Sequence, residues 1–248
     1  MGTGAVRRYL AEQGAVLDQA AARLRAGDRT AVHPTRVAVR RARSTLRTFA
    51  ACFEPGPARQ LDAALIAHAD RVARVRDLEV LVEVFEEQRA DQSAELSPWI
   101  SDRLTLELDA TWREAREALA AEDDGELGAR FRAVLAASAG GSLPLGRIAA
   151  RAGERAARRL AAAGGDPDAL HEARKAAKRA RYAAEVSGDD AIAARHQHVQ
   201  QILGTHHDLI VAARWLATAP VEPEMRADAR HLGVRLEAAA ADCLGDLI

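Results

Sequence analysis

Apolar and polar positions along the chain recur with the period of an α-helix almost throughout. The pattern predicts helices over 3–26, 33–53, 57–89, 98–121, 126–138, 144–163, 167–187, 189–218 and 223–246. Ser97-Pro98 and Asp166-Pro167 each set an N-cap residue before a proline suited to the first helical position. Glycines interrupt the pattern at Gly27, Gly56, Gly140-Gly141 and Gly164-Gly165. Alternating runs of Val, Ile and Thr are absent, so the pattern predicts an all-α protein. The stretch Ala139–Pro144 is the best internal boundary. It divides the chain into an N-terminal helical bundle, 1–138, and a C-terminal helical bundle, 139–248, each with four or five predicted helices.

Composition sharpens this picture. Apolar residues make up 48% of the chain but aromatics only 4%, so alanine and leucine carry the apolar faces. Alanine loses no side-chain entropy in a helix, and alanine faces let helices approach closely. The two cysteines, Cys52 and Cys243, are too few for a disulfide framework, and a reduced, cytoplasmic setting is expected. Arg7, Arg8, Glu12, Asp18 and Arg23 interrupt the N-terminal stretch, which therefore lacks an export signal. No later stretch is apolar for long enough to span a bilayer, and no membrane partner is expected.

A formal net charge of -1, from 35 basic and 36 acidic residues, predicts no general affinity for anions. The distribution changes that reading. Asp77–Glu126 holds sixteen acids and four arginines, whereas His33–Arg47 holds five arginines and no acid. Such asymmetry makes local fields that the net charge hides.

The basic segment occurs twice. His33 is followed by Arg36, Arg40, Arg41 and Arg43 at offsets 3, 7, 8 and 10, with Arg47 at 14. His171 is followed by Arg174, Lys178, Arg179 and Arg181 at the same first four offsets, and Lys175 adds a cation at offset 4. On a helix, offsets 0, 3, 7, 10 and 14 fall within an arc of roughly 80°, a stripe about 21 Å long. The opposite faces are apolar: Val39, Ala42, Leu46, Phe49 and Phe53 in the first copy, Ala173, Ala177, Ala180 and Ala184 in the second. A solvated charged face is the plain alternative. Such faces usually mix signs, however, and stacked like charges cost a few tenths of a kcal/mol per pair unless an anion relieves them. A second repeated feature, Arg76-Asp77-Leu78 and His207-Asp208-Leu209, sets an acid before an apolar run. Asp77 and Asp208 could each hold a cation of the stripe in one rotamer, or be surface acids without a special partner.

These motifs resemble the CHAD family, the conserved-histidine α-helical domain. The likeness rests on His33-Pro-Thr-Arg36-Val-Ala-Val-Arg40-Arg41-Ala-Arg43, on Arg76-Asp77-Leu78, and on His171-Glu-Ala-Arg174-Lys175-Ala-Ala-Lys178-Arg179-Ala-Arg181-Tyr182. The resemblance implies two helical bundles related by an internal pseudo-twofold. It also implies inorganic polyphosphate as partner, bound on a basic surface or channel that both stripes share, and association with polyphosphate granules. Its implied ligand-binding residues are His33, Arg36, Arg40, Arg43, Arg47, His171, Arg174, Lys175, Lys178 and Arg181, with Asp77 and Asp208 supporting them. Ala42 and Ala180 stand where the family often has leucine, Ala73 where it has glycine, and His207 where asparagine is more usual. The Glu-x-Glu-x-Lys strand motif of the triphosphate-tunnel enzymes often fused to this domain is missing, so a free-standing member is expected.

The residues themselves separate the remaining ligand classes. Guanidinium forks match phosphate oxygens in pairs, while lysine acts as a point charge. Aromatic platforms for bases are not interleaved with the stripes, which disfavours the alternative of a nucleic-acid-binding helical protein. His33 and His171 begin their helices, where they either donate to phosphate or simply cap and pack. Phosphoryl transfer would need metal-binding carboxylates or a phosphate-cradling loop, and neither motif occurs, so no enzyme and no cofactor is expected. His196, His198, His206 and His207 invite a metal reading, but His196 and His198 point to different helix faces, and no metal site is predicted.

Overall fold

The computed structural model describes residues 2–121, 125–138 and 141–247. Among the described residues the chain is helical with no strand. The helices are α1 (Gly2–Arg25), α2 (Val32–Thr48), α3 (Pro55–Arg71), α4 (Ala73–Glu87), α5 (Leu96–Ala120), α6 (Glu126–Ala136), α7 (Leu145–Ala161), α8 (Pro167–Ser187), α9 (Asp190–Thr218) and α10 (Arg226–Cys243), with short 3-10 turns between some of them.

The sequence pattern and the elements differ at four places. The helix expected over 33–53 ends as α2 at Thr48, and Phe49 and Phe53, expected on its apolar face, flank the short turn Ala50–Cys52 that follows. The single helix expected over 57–89 is two, α3 and α4, broken at Val72. There the amide donates to Ala69 O at 3.2 Å, three residues back, and the turn does not continue. Val72 is fully buried, so the break is set by packing, without a glycine or proline to announce it. Gly56 marks no break; it sits in the first turn of α3, which Pro55 opens as an N-terminal proline. Ser97 is not the cap of α5, which starts one residue earlier, with the Leu96 amide donating to the Ser93 hydroxyl at 3.3 Å. Asp166 does cap α8: its carboxylate accepts from the Ala169 amide at 2.8 Å. At the other end of α8 the chain turns at Gly188 with φ 74°, a left-handed conformation that glycine adopts without strain.

The chain forms two compact units, each assembled from two separate stretches: unit 1 from 1–74 and 112–197, unit 2 from 75–111 and 198–248. The expected boundary begins at Ala139 and Gly140, which lie outside the described residues; Gly141–Pro144 lead into α7 within unit 1. In unit 1, α1 packs on α2, α7 on α8, α3 on α6, and α2 on both α3 and α8. Val6, Leu10, Leu17, Leu46, Phe49, Leu61, Leu65 and Phe131 fill the core, joined by alanines of α7 and α8. In unit 2, Trp215 of α9 meets Phe85 of α4 and Trp99 of α5, with ring centroids 5.4 and 6.3 Å apart. His206 Nδ1 donates to the Ala240 carbonyl at 2.9 Å, tying α9 to α10. Among the described residues no helix is long and apolar enough to cross a membrane.

Candidate anion-binding site

Both basic helices belong to unit 1, where α2 packs against α8. Their apolar faces turn inward as their sequences require. Val39, Ala42, Leu46 and Phe49 are at most 5% exposed, and Ala173, Ala177, Ala180 and Ala184 at most 1%. The charged residues are left on the other side. His33, Arg47, His171 and Lys175 are exposed; Arg36, Arg40, Arg43, Arg174, Lys178 and Arg181 are half-buried. His33 stands in the first turn of α2, whereas His171 stands one turn into α8.

The stripes are not left without acids. Asp62 of α3 accepts from Arg43 Nε at 2.8 Å and from Arg47 at 3.1 Å. Burial alone would raise the Asp62 carboxyl, but the hydrogen bonds and charges of Arg43 and Arg47 outweigh it and hold the group below the ordinary carboxylate value. Glu185, near the end of α8, accepts from Arg181 Nε at 2.8 Å and lies 3.3 Å from Arg41 Nε. It also accepts from the Tyr9 hydroxyl at 2.5 Å. Both guanidiniums lie 5.8 Å from the centre of the buried Tyr182 ring. Burial first, and then the bond to Glu185, push the Tyr9 hydroxyl up and keep it protonated. Cations of α2 and α8 therefore meet at one carboxylate, which holds the two helices in register.

Asp77 and Asp208 lie in unit 2, Asp77 exposed and Asp208 half-buried. Arg76, next to Asp77 in the chain, donates to Glu83 at 2.8 and 3.0 Å and to Glu79 at 3.2 Å, all on α4. His196 is half-buried, and a methyl at Gly153 would stand 3.0 Å from its Nε2. Burial, and next the Arg195 charge, push this imidazole below its ordinary value of 6.5.

Sequence reasoning missed a third basic helix. Arg151, Arg155 and Arg159 stand at i, i+4 and i+8 on α7, and all are exposed. The signal was present as arginines spaced four apart over alanines, but without a histidine and without a second copy. Arg179, part of the repeat but outside the expected site, and Lys175, expected in the stripe, both face this row. It missed Asp62 and Glu185 for another reason: tertiary packing, not spacing along the chain, brings Asp62 to α2 and Glu185 to Arg41.

A family model described as CHAD domain matches residues 8–217. Two solved structures are similar over nearly the whole chain. PptA from Streptomyces chartreusis shares 18% identity with a TM-score of 0.80, covering 99% of this chain and 98% of that one. The CHAD domain from the plant Ricinus communis shares 24% identity with a TM-score of 0.76, covering 97% and 87%. At these identities the likeness to the solved structures is one of fold. The comparison with curated proteins yields no match.

Proposed function

The chain belongs to the CHAD family, and from that premise we propose that it binds inorganic polyphosphate on the basic faces of α2 and α8, without catalysing its turnover. The observation that carries this reading is the packing of α2 against α8 in one unit, alanines inward and cations outward. The ligand is a flexible chain with about one charge per phosphate, and repeated guanidiniums grip it through paired charge-assisted hydrogen bonds. The surrounding field favours it as well. Unit 1 holds 28 of the 35 basic residues and 19 of the 36 acids, and unit 2 the remaining seven and seventeen. His33, Arg36, Arg40, His171, Arg174 and Lys178 line the path together with Arg43, Arg47 and Arg181, and phosphate competes there with the acids these cations already hold, Asp62 and Glu185 among them. The protein acts in the cytoplasm, on polyphosphate granules.

The test is a titration with long-chain polyphosphate at several salt concentrations. Displaced counterions make affinity fall steeply as salt rises, as for other polyanions. Arg40→Glu and Lys178→Glu each weaken binding while circular dichroism stays unchanged. An affinity indifferent to salt would sink the reading. So would RNA of matching length displacing polyphosphate at equal phosphate concentration, which would point to a nucleic-acid binder.

A further inference from the structure

A second basic surface lies beside the first and is built differently. On one side of α7, Ala149, Ala152 and Ala156 are buried at 3%, 7% and 5% exposure. Facing them, α8 buries Ala173, Ala176 and Ala177. With only methyl groups on the buried faces, α7 and α8 can approach closely, and the residues flanking the alanines converge at the rim. Those residues are Arg151, Arg155 and Arg159 of α7, and Lys175 and Arg179 of α8; Arg47, at the end of α2, closes the third side. Together they line a cleft of about 450 Å³.

Six cations in this cleft face one carboxylate, Glu172. Glu172 is already committed at one edge, where it accepts from Arg159 at 2.9 Å and pairs with Lys175. Among the described residues Arg151, Arg155 and Arg179 form no ion pair. Burial, then the charges of Arg155, Arg47 and Arg159, push the Arg179 guanidinium below its ordinary value. Crowded like charges of this kind cost stability that a bound anion returns.

The cleft meets the α2 stripe at Arg47, but on α8 its cations turn away from the stripe. Lys175 and Arg179 stand roughly 100° round α8 from the line of His171, Arg174, Lys178 and Arg181. Its size limits the ligand, since its volume equals the share of about fifteen water molecules in the liquid. No aromatic side chain lines it, so a nucleotide base finds no platform.

We propose that this cleft is a second anion seat, centred on the arginines of α7 and meeting the stripes only at Arg47 and Lys175, and that it takes a compact inorganic phosphate run of triphosphate size. The run is either a free oligophosphate or the terminal segment of a longer chain; both present the same oxygens to the same guanidiniums. The seat does not depend on polyphosphate binding at the stripes.

Calorimetric titration of the full chain with inorganic tripolyphosphate tests the proposal. One ligand is expected per protein. The double variant Arg151→Gln/Arg155→Gln weakens it about tenfold or more, as loss of charge-assisted bonds requires. Both side chains are exposed and outside ion pairs, and circular dichroism checks that the helices persist. Arg151→Lys/Arg155→Lys keeps the charge but loses the fork, and recovers part of the affinity. The stripe pair Arg40→Gln/Lys178→Gln changes tripolyphosphate affinity by less than about twofold, because those cations lie outside the cleft. Equal weakening by the cleft and stripe pairs would overturn the proposal, as would failure of tripolyphosphate to bind the unaltered chain. If tripolyphosphate binds at the cleft while long-chain polyphosphate fails to bind, the seat stands and the reading of the stripes falls. With both bound, competition assigns the seat to the chain's end, and simultaneous binding assigns it to a free oligophosphate.

Discussion

Glu185 gathers polar bonds from three helices of unit 1 at one carboxylate. It holds Arg41, Arg181 and Tyr9 at once, 18% exposed. Removing its charge leaves two guanidiniums facing each other over Tyr182. Glu185→Gln is expected to cost about 2 kcal/mol, and Tyr9→Phe about 1 kcal/mol, both read from urea melts. Equal stability of Glu185→Gln and the unaltered chain would show that the carboxylate does not clamp the helices. His196 gives a different signature. Its imidazole is held below the ordinary 6.5, so below that pH the unfolded chain takes up the proton more readily than the folded one. This contribution to stability is intact above pH 6.5 and is lost as pH falls through the folded value. Stability measured across this window should slope downward toward acid, and His196→Gln should flatten the slope. The repeated basic faces of α2 and α8 were legible because a repeated offset is a one-dimensional signal. Asp62 was not, because its link to Arg43 spans nineteen residues and two helices.

Among the elements, α2 and α8 were readable in advance because an apolar stripe opposite a charged one has only one way to be buried. Ala42 and Ala180 lie where that rule puts them, both at 0% exposure. The α3–α4 break was not readable, since Val72 carries no turn chemistry and the apolar period runs across it. Helix α7 was read as a helix but not as part of a site, because its arginines match no second copy. The two ends of α8 make a sharper prediction. Asp166→Ala removes the carboxylate that accepts from the Ala169 amide and should cost about 1 kcal/mol. Gly188→Ala forces a side chain into a left-handed turn and should cost about as much. Thermal melts of the two variants and their combination would check both, with near-additive losses expected from opposite ends of one helix. A larger loss in the double variant would mean that α8 frays as a unit.

The whole molecule carries almost no net charge, and its sequence pI of about 6.7 suggests weak interaction with any exchanger near neutrality. The separation of charge between units predicts otherwise. At low salt near pH 7 the protein should be retained on both a cation and an anion exchanger, through unit 1 and unit 2 respectively. Polyphosphate should abolish retention on the cation exchanger alone. Passage straight through both resins would mean that the two sets of charges neutralise each other locally. This segregation was only half legible: the acidic stretch Asp77–Glu126 could be counted, but that only its part up to residue 111 groups with 198–248 follows from contacts made by the folded chain.

That grouping governs how the protein is made. The first segment of unit 1 ends at residue 74, and its second segment is complete only at residue 197. During synthesis α2 leaves the ribosome long before α8, its packing partner, has been translated. At about 5–20 residues per second the wait is roughly 7–28 s, far longer than a helix takes to form. Through that interval Val39, Leu46 and Phe49 lack the α8 side of their eventual surroundings. The nascent chain is thus most open to chaperones, and to mispairing with its neighbours on a polysome, just after the basic helix has emerged. For the same reason no single proteolytic cut can release either unit intact.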